Sequence, residues 1–156
     1  MKIKVLDKSM PELGYSTKGS VGIDLRACTF NGNVIDEFVL GPGQQVAIGT
    51  GIIVDQSSES PTCGALLLPR SGLGTKLGFG LANTVGLIDT DYHGEIIAVA
   101  KNNSDLSFSI KRFDRIAQLA FLNFVKPETL EIVEEFDTAV EFTERGSNGF
   151  GSTGTK

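Results

Sequence analysis

Short apolar segments separated by glycine-rich turns recur along most of this chain, and they limit the folds that it can adopt. Nineteen glycines supply turn positions. Strands that recur about every eight to twelve residues with turn signals between them are typical of β-sandwiches, jelly rolls and barrels. The sequence therefore predicts an all-β fold. The candidate strands lie at 2–6, 20–27, 38–40, 45–48, 52–54, 64–68, 96–100 and 107–110.

A longer apolar run at 115–125 fits either a buried strand or a helix. The run ends at Lys126-Pro127, and the residue before a proline disfavours the helical conformation. Its predicted neighbours are strands, so a strand is favoured. Two other segments, 84–88 and 137–142, carry weak helical patterns.

The overall charge and the cysteine count exclude several functional classes. The net charge is −5 at pH 7, whereas a nucleic-acid polymer needs a basic face, so a small phosphorylated ligand is the more compatible partner. No signal peptide is recognisable at the N-terminus, and no apolar run reaches the roughly 18 residues of a membrane span. We expect a cytoplasmic protein with Cys28 and Cys63 reduced, and the single histidine, His93, gives no metal-ligand spacing.

The segment Arg70-Ser-Gly-Leu-Gly74 has the composition of an anion-binding loop. Glycines allow positive φ and close approach of backbone N–H groups to a ligand. Arg70 would add a positive charge and Ser71 a hydroxyl. The plain alternative is a surface turn, since proline and glycine are ordinary turn residues in β proteins.

The segment Ile88-Asp-Thr-Asp-Tyr-His-Gly94 carries two carboxylates. If the segment is extended, Asp89 and Asp91 fall on the same side of it, beside the ring of Tyr92. One carboxylate could then hold a water as a general base. The alternative is a hairpin turn with solvated acids.

A third carboxylate, Asp24, interrupts the short apolar segment 20–27. We expect this segment to present Asp24 more than to bury Ile23 and Leu25. The carboxylate is either solvent-facing, which is the commoner case, or placed near a cation.

The glycine-rich tail, residues 145–156, has too few apolar side chains to pack on its own core. We expect a domain at 1–144 followed by a flexible arm at 145–156. Such an arm is usually only disordered. This one nevertheless carries a guanidinium (Arg145), a ring (Phe150) and two hydroxyls (Ser152 and Thr153), which are groups that can close over a nucleotide.

Five segments together resemble the motifs of the homotrimeric deoxyuridine triphosphate pyrophosphatases, the dUTPases, in order and at family spacing. The resemblance covers about residues 20 to 154. One departure is Phe113, which stands where many relatives have glycine two residues before the arginine of the fourth motif, so the shape of that turn is open. The five segments are 21–27, 69–74, 86–95, 115–119 and 145–154.

The resemblance implies a jelly-roll-like homotrimer that hydrolyses dUTP to dUMP and pyrophosphate with Mg²⁺. Mg²⁺ would be held mainly by substrate phosphates and waters, with Asp24 able to contribute through a water. Each active site would be composite: the Arg70 and Gln118 motifs come from one subunit, the Asp89 motif from a second and the arm from the third.

The resemblance also implies a role for each matching residue. Asp89 is similar to the base that deprotonates the attacking water, and Tyr92 to the ring that stacks under deoxyribose. Asn83 and the turn that includes Leu87 and Ile88 would read the uracil edge. The expected phosphate contacts are Arg70, Ser71, Gly72 and Gln118, and the expected lid residues are Arg145, Phe150, Gly151, Ser152 and Thr153.

Two alternatives remain at the level of sequence. The related dCTP deaminases share the trimeric fold, but they need a glutamate over cytosine C4, and release of ammonia from dCTP would identify them. A regulatory binding role, as in some phage-encoded relatives, could coexist with catalysis.

Deletion of residues 145–156 should lower turnover sharply while leaving assembly intact. The arm is expected to close over bound substrate and exclude water, not to build the core. Steady-state kinetics and analytical ultracentrifugation of the truncated chain test this. A truncated enzyme with unchanged turnover would contradict the lid assignment.

Overall fold

The computed structural model of this chain describes residues 1–135. These residues form eleven β-strands and one short helix. The elements are β1 (Lys2–Val5), β2 (Gly22–Arg26), β3 (Thr29–Phe30), β4 (Glu37–Leu40), β5 (Gln45–Asp55), β6 (Cys63–Pro69), α1 (Ser71–Leu77), β7 (Phe79–Leu81), β8 (Gly86–Ile88), β9 (Glu95–Asn102), β10 (Phe108–Lys111) and β11 (Arg115–Asn123).

The strands form three antiparallel sheets. The largest has the order β1-β5-β9-β7, with β3 also paired to β5, and a second has the order β2-β11-β6-β8. A two-stranded sheet pairs β10 with β4. Side chains from both larger sheets meet in one core, among them Leu25, Leu67 and Leu119 from one sheet and Ile48 and Ile96 from the other. The predicted all-β jelly-roll architecture is confirmed.

Most predicted strands are present, and the run at 115–125 is a strand, β11. The predicted strands 45–48 and 52–54 are halves of the single strand β5. The helix suggested at 84–88 is wrong, because residues 86–88 form β8 against β6. The helix α1 was not predicted, and the suggested helix at 137–142 lies outside the described residues.

Alternation in β2 was also misinterpreted. Ile23 and Leu25 are both buried in the core, contrary to the expectation that this strand mainly presents its carboxylate. Their burial follows from the period of two in a strand, which turns alternate side chains to the same face. Asp24 therefore lies on the face opposite to the core.

A bulge in β5 joins this strand to the beginning of β9. The register with β9 shifts between Gly49 and Ile53. Within the bulge, the N–H of Gly51 donates to Oε1 of Glu95 at 2.8 Å, and Oγ1 of Thr50 donates to the carbonyl of Ile96 at 2.6 Å. The bulge thus supplies polar partners to a strand end that would otherwise leave buried groups unpaired.

The turn before β11 accommodates Phe113 in a conformation that usually favours glycine. Phe113 has φ 69°. Its N–H donates to the carbonyl of Ala27 at 2.6 Å, and its carbonyl accepts from Nη1 of Arg26 at 2.8 Å. The guanidinium of Arg112 lies 4.3 Å from the ring centroid. The turn therefore keeps its shape without glycine, because bonds on both sides offset the local strain.

Residues 1–125 form one compact unit, and the described residues 126–135 lie outside it. All eleven strands and the helix belong to this unit. The predicted boundary at residue 144 stays a prediction. No helix within residues 1–135 is long and apolar enough to cross a membrane.

Both cysteines are free and buried. Burial, together with a smaller effect of the nearby charge of Asp7, raises the pKa of the Cys28 thiol to about 11. The thiolate form, which is the reactive one, is therefore scarce at neutral pH in the folded chain.

Substitution of Gly51 by alanine should destabilise the fold by about 1–3 kcal/mol. Gly51 has φ +70°, and an added Cβ would lie 2.7 Å from Sγ of Cys28. Gly19→Ala is the matched control, since its Cβ would meet no atom within 4 Å. Urea unfolding at equal protein concentration measures both variants, and equal midpoints would refute the expectation.

Candidate active site

Three predicted site residues meet beside the end of β6. Arg70 directly follows this strand, Asp24 lies in the middle of β2, and Gln118 lies opposite Asp24 in β11. Oδ1 of Asp24 accepts a hydrogen bond from Nε of Arg70 at 2.9 Å and another from Nε2 of Gln118 at 3.3 Å. The sheet register therefore brings together residues that are far apart in sequence.

Arg115 completes this arginine–carboxylate cluster, which consists of Asp24, Arg70, Arg115 and Gln118. Nη1 of Arg115 donates to Oδ2 of Asp24 at 3.2 Å, and its carbonyl accepts from Nη1 of Arg70 at 3.1 Å. The sequence prediction omitted Arg115 as a site residue. Its position at the start of the fourth motif was the available signal.

The carboxylate of Asp24 is not solvent-facing, as the commoner interpretation held. Its side chain is only 11% exposed and is paired with two guanidinium groups. The cation near Asp24 is thus supplied by arginine side chains. Because a nearly buried carboxylate needs such partners, the pairing fixes the orientation of Arg70 before any ligand binds.

The predicted anion-binding loop at 70–74 is instead the beginning of helix α1. Arg70 is the N-cap residue in an extended conformation, and the positive-φ glycine is Gly78, which ends the helix. Neither Gly72 nor Gly74 uses the positive φ that glycine allows. In a helix the first N–H groups have no intrahelical partner, so those of Ser71 and Gly72 remain available to an anion.

The glycine at position 72 is not required by the packing of this chain. A Cβ added there would meet no other atom within 4 Å. Open space therefore borders the first turn of α1, beside Arg70. The phosphate-binding roles of Ser71 and Gly72 stay predictions.

The carboxylates of the 86–95 segment do not share one side of an extended strand. The N–H of Tyr92 donates to the carbonyl of Asp89 at 3.2 Å and closes a turn. Asp89 and Tyr92 line a cavity of about 160 Å³ together with Leu87 and Ile88. Asp91 instead lines a different cavity, of about 350 Å³. The turn therefore separates the two acids, and Asp89 is the one that shares a cavity with the ring.

The ring of Tyr92 is folded back over Gly94. Its hydroxyl donates to the carbonyl of Glu95 at 2.9 Å. A Cβ at position 94 would lie 2.6 Å from Cζ of the ring, so this arrangement requires glycine there. The hydroxyl end of the ring is held by this hydrogen bond, while Tyr92 as a whole stays exposed.

Asn83 lies in the turn that joins β7 of one large sheet to β8 of the other. Its carbonyl accepts from Oγ1 of Thr84 and from N–H of Val85, both at 2.6 Å. Thr84 has φ 60°, an uncommon conformation for a β-branched residue. Such strain often occurs at ligand-binding turns, and the uracil-reading role of Asn83 stays a prediction.

The two groups of site residues lie at opposite ends of β6. Ala65 pairs with Ile88, so Asp89 lies level with Gly64, whereas Arg70 follows the other end of the strand. At a rise of about 3.3 Å per residue, Arg70 and Asp89 are roughly 20 Å apart. The cavities that they line share no residue. The expected lid residues Arg145, Phe150, Gly151, Ser152 and Thr153 lie outside the described part of the chain.

Comparison with known proteins places these motifs in a family. A family model described as dUTPase matches residues 8–154. The chain belongs to the dUTPase family.

Individual relatives agree with this assignment. The deoxyuridine 5'-triphosphate nucleotidohydrolase of Hahella chejuensis is 44% identical over 99% of this chain and 96% of the relative. The enzyme of the same name from Neisseria meningitidis is also 44% identical, again over 99% and 96%. Among solved structures, a mutant dUTPase of Staphylococcus bacteriophage 80alpha with dUpNHpp has a TM-score of 0.79 and 27% identity, over 98% of this chain and 97% of that chain.

Replacement of Asp24 by asparagine should release the side chain of Arg70 in this dUTPase-family chain. A hydrogen bond to a charged group contributes about 1.5–3 kcal/mol, so the Nε–H of Arg70 should exchange with solvent at least about tenfold faster. ¹H–¹⁵N NMR of the arginine Nε–H groups measures this exchange. Asp105→Asn, on an exposed loop, is the control. Unchanged protection in Asp24→Asn would show that Asp24 does not hold Arg70.

Proposed function

We propose that this chain hydrolyses dUTP to dUMP and pyrophosphate by attack of water on the α-phosphorus. The observation that carries the proposal is the turn at 89–92, where an exposed carboxylate and a fixed tyrosine ring line one cavity. Membership of the dUTPase family and the names of the curated relatives support the same reaction. The reaction would lower dUTP and supply dUMP for dTMP synthesis.

Asp89 acts as the general base. Within residues 1–135 no group donates a hydrogen bond to its carboxylate oxygens, while its backbone carbonyl is held by the turn. Free carboxylate lone pairs can accept from a water and align it for in-line attack. Asp91, which lines another cavity, has no direct part in this step.

Tyr92 discriminates at the sugar. Its ring is fixed by the bond from its hydroxyl to Glu95 and lies against Gly94, so it can form one wall for a deoxyribose ring. A rigid wall leaves no room for a 2′-hydroxyl. Asn83 and the backbone at Leu87 and Ile88 read the uracil edge.

Arg70 neutralises phosphate charge, with Ser71, Gly72 and Gln118 as further contacts. Because Asp24 orients Arg70 in advance, less side-chain entropy is lost when a phosphate binds. The arm then closes over the base and the γ-phosphate. Its contacts come from Arg145, Phe150, Gly151, Ser152 and Thr153.

Mg²⁺ is the proposed cofactor. The described residues contain no group of three His, Cys, Asp or Glu side chains that could hold a metal ion. We infer an ion held mainly by substrate phosphates and waters, which is a usual mode for Mg²⁺. When bound it would neutralise phosphate charge, and Asp24 could reach it through a water.

We also propose a homotrimer with composite sites. The distance of roughly 20 Å between Arg70 and Asp89 prevents both from acting on one α-phosphorus within a single chain. Exposed apolar side chains border the Asp89 cavity, with Leu87 60% and Ile97 50% exposed. Such side chains are typical of surfaces that a partner covers.

We propose a cytoplasmic location for this chain. The two free, buried cysteines agree with a reducing compartment.

Substrate comparison tests the proposed function. Pyrophosphate release should be fast with dUTP and slow with dTTP, UTP and dCTP, since those three differ at the base or the sugar. Ammonia release from dCTP is measured in the same samples. Activity on dCTP with ammonia release, or equal turnover of all four nucleotides, would contradict the proposal.

Asp89→Asn should lower kcat by about 10²–10⁴-fold, the usual contribution of a general base, with little change in KM. The control is Asp91→Asn, which alters the neighbouring acid in the other cavity and should retain turnover. Sedimentation confirms that both variants assemble. Near-normal kcat in Asp89→Asn would remove Asp89 from the role of base.

A further inference from the structure

Gln56 is a buried polar residue for which the reaction proposed above has no role. It follows the last residue of β5 and is only 1% exposed. A buried amide without partners is costly, so its hydrogen bonds indicate what it does in the fold.

The amide of Gln56 binds the backbone of the proposed catalytic turn. Its Nε2 donates to the carbonyl of Asp89 at 3.3 Å. The same carbonyl accepts from the N–H of Tyr92 at 3.2 Å. A carbonyl oxygen has two lone pairs, so both are engaged. One is used within the turn, and the other joins the turn to β5.

The other end of the amide faces β6. The thiol of Cys63 lies 4.0 Å from Oε1 of Gln56, at the limit of a weak hydrogen bond to sulfur. Cys63 begins β6, the strand that pairs with β8 immediately before Asp89. Gln56 therefore lies between the Asp89 carbonyl and the first residue of β6.

The backbone of Gln56 is itself restrained on both sides. The carboxylate of Asp55 accepts from the N–H of Ser57 at 2.9 Å, and the carbonyl of Gln56 accepts from the N–H of Glu59 at 2.9 Å. The hydrogen bonds from Ser57 are the main reason that the pKa of Asp55 is lowered, with smaller contributions from Lys2 and His93. A side chain on such a fixed backbone can act as a rigid support.

We propose that Gln56 is a positioning residue for Asp89, and that its amide sets the location of the base through the Asp89 carbonyl. This inference rests on the proposed function, since it concerns the same base. It assigns a part in catalysis to the residue that follows β5, which is not among the proposed substrate contacts. Because small misplacements of a reacting group are costly in rate, the effect belongs to kcat.

Gln56→Met removes the donor while keeping the length and apolar stem of the side chain. We expect kcat for dUTP to fall about 10–100-fold. KM should stay within about twofold, because the Arg70 cluster lies at the other end of β6. Stopped-flow or steady-state measurement of pyrophosphate release gives both constants.

Asn102→Leu is the matched control. Asn102 is also a fully buried amide, and its Nδ2 donates to the carbonyls of Leu40 at 3.0 Å and Leu106 at 2.8 Å. Asn102 is the last residue of β9, so it lies roughly 20 Å from the turn at 89–92, which precedes this strand. Its loss should lower stability and leave kcat of the folded enzyme unchanged. A purely structural role for Gln56 predicts the same pattern for both variants.

Gln56→Glu provides a second readout that is independent of stability. A protonated carboxyl can donate to the Asp89 carbonyl, whereas an ionised one cannot, and burial raises the pKa of a glutamate. The ratio of kcat in Gln56→Glu to kcat in the unsubstituted enzyme should therefore fall as pH rises. Cys63 on β6 and the groups around the adjacent cavity, Glu59, Asp91 and His93, are present in both proteins, so the ratio isolates the effect of the introduced carboxyl.

The outcomes separate the two proposals. If the unsubstituted enzyme does not hydrolyse dUTP, or Asp89→Asn is active, the proposed function or its base is wrong. If both of those expectations hold and Gln56→Met keeps normal kcat, only the role of Gln56 is overturned. Should Gln56→Met fail to fold, a ratio for Gln56→Glu that is flat with pH overturns it instead.

Discussion

The pairing of β6 with β8 and β11 is the constraint on which the placement of the site depends. Pairing with β11 brings Gln118, and β2 beyond it, alongside the C-terminal end of β6, where Arg70 and Asp24 form an ion pair. Through β8, it holds Asp89 at its other end. A shift of one residue in either register would turn the paired side chains to the opposite face. The spacing of the two chemical groups is thus determined by main-chain hydrogen bonds.

Strand β5 supports the same turn from the other sheet. In its bulge, the N–H of Gly51 donates to the Glu95 carboxylate. Directly after its end, the amide of Gln56 donates to the Asp89 carbonyl. Glu95 in turn accepts from the hydroxyl of Tyr92 through its carbonyl. The proposed base and the tyrosine ring are therefore held by one strand at separate points. Rigid support of this kind is what a site needs if its geometry is to be ready before substrate arrives.

Local patterns in the sequence predicted most strands, because alternation and turn residues act over a few positions. They failed where distant partners decide the structure. Helix α1 contains two glycines, which lower helix propensity, so 70–74 was interpreted as a loop. The pairing of Asp24 with Arg115 joins residues 91 positions apart. Gln56 precedes two serines, and no local pattern there marks it as buried. The motifs located the candidate site, but only the sheet register placed its halves at opposite ends of a strand.

The separation of these halves along one strand has a genetic consequence. In an assembly of the proposed kind, a chain substituted at Arg70 still carries an intact Asp89, and a chain substituted at Asp89 still carries an intact Arg70. When the two variants mix, some interfaces join the intact Arg70 of one chain with the intact Asp89 of the other. If the proposed trimer forms, two inactive alleles would therefore complement each other within a mixed oligomer, whereas two lesions at one end of β6 would not.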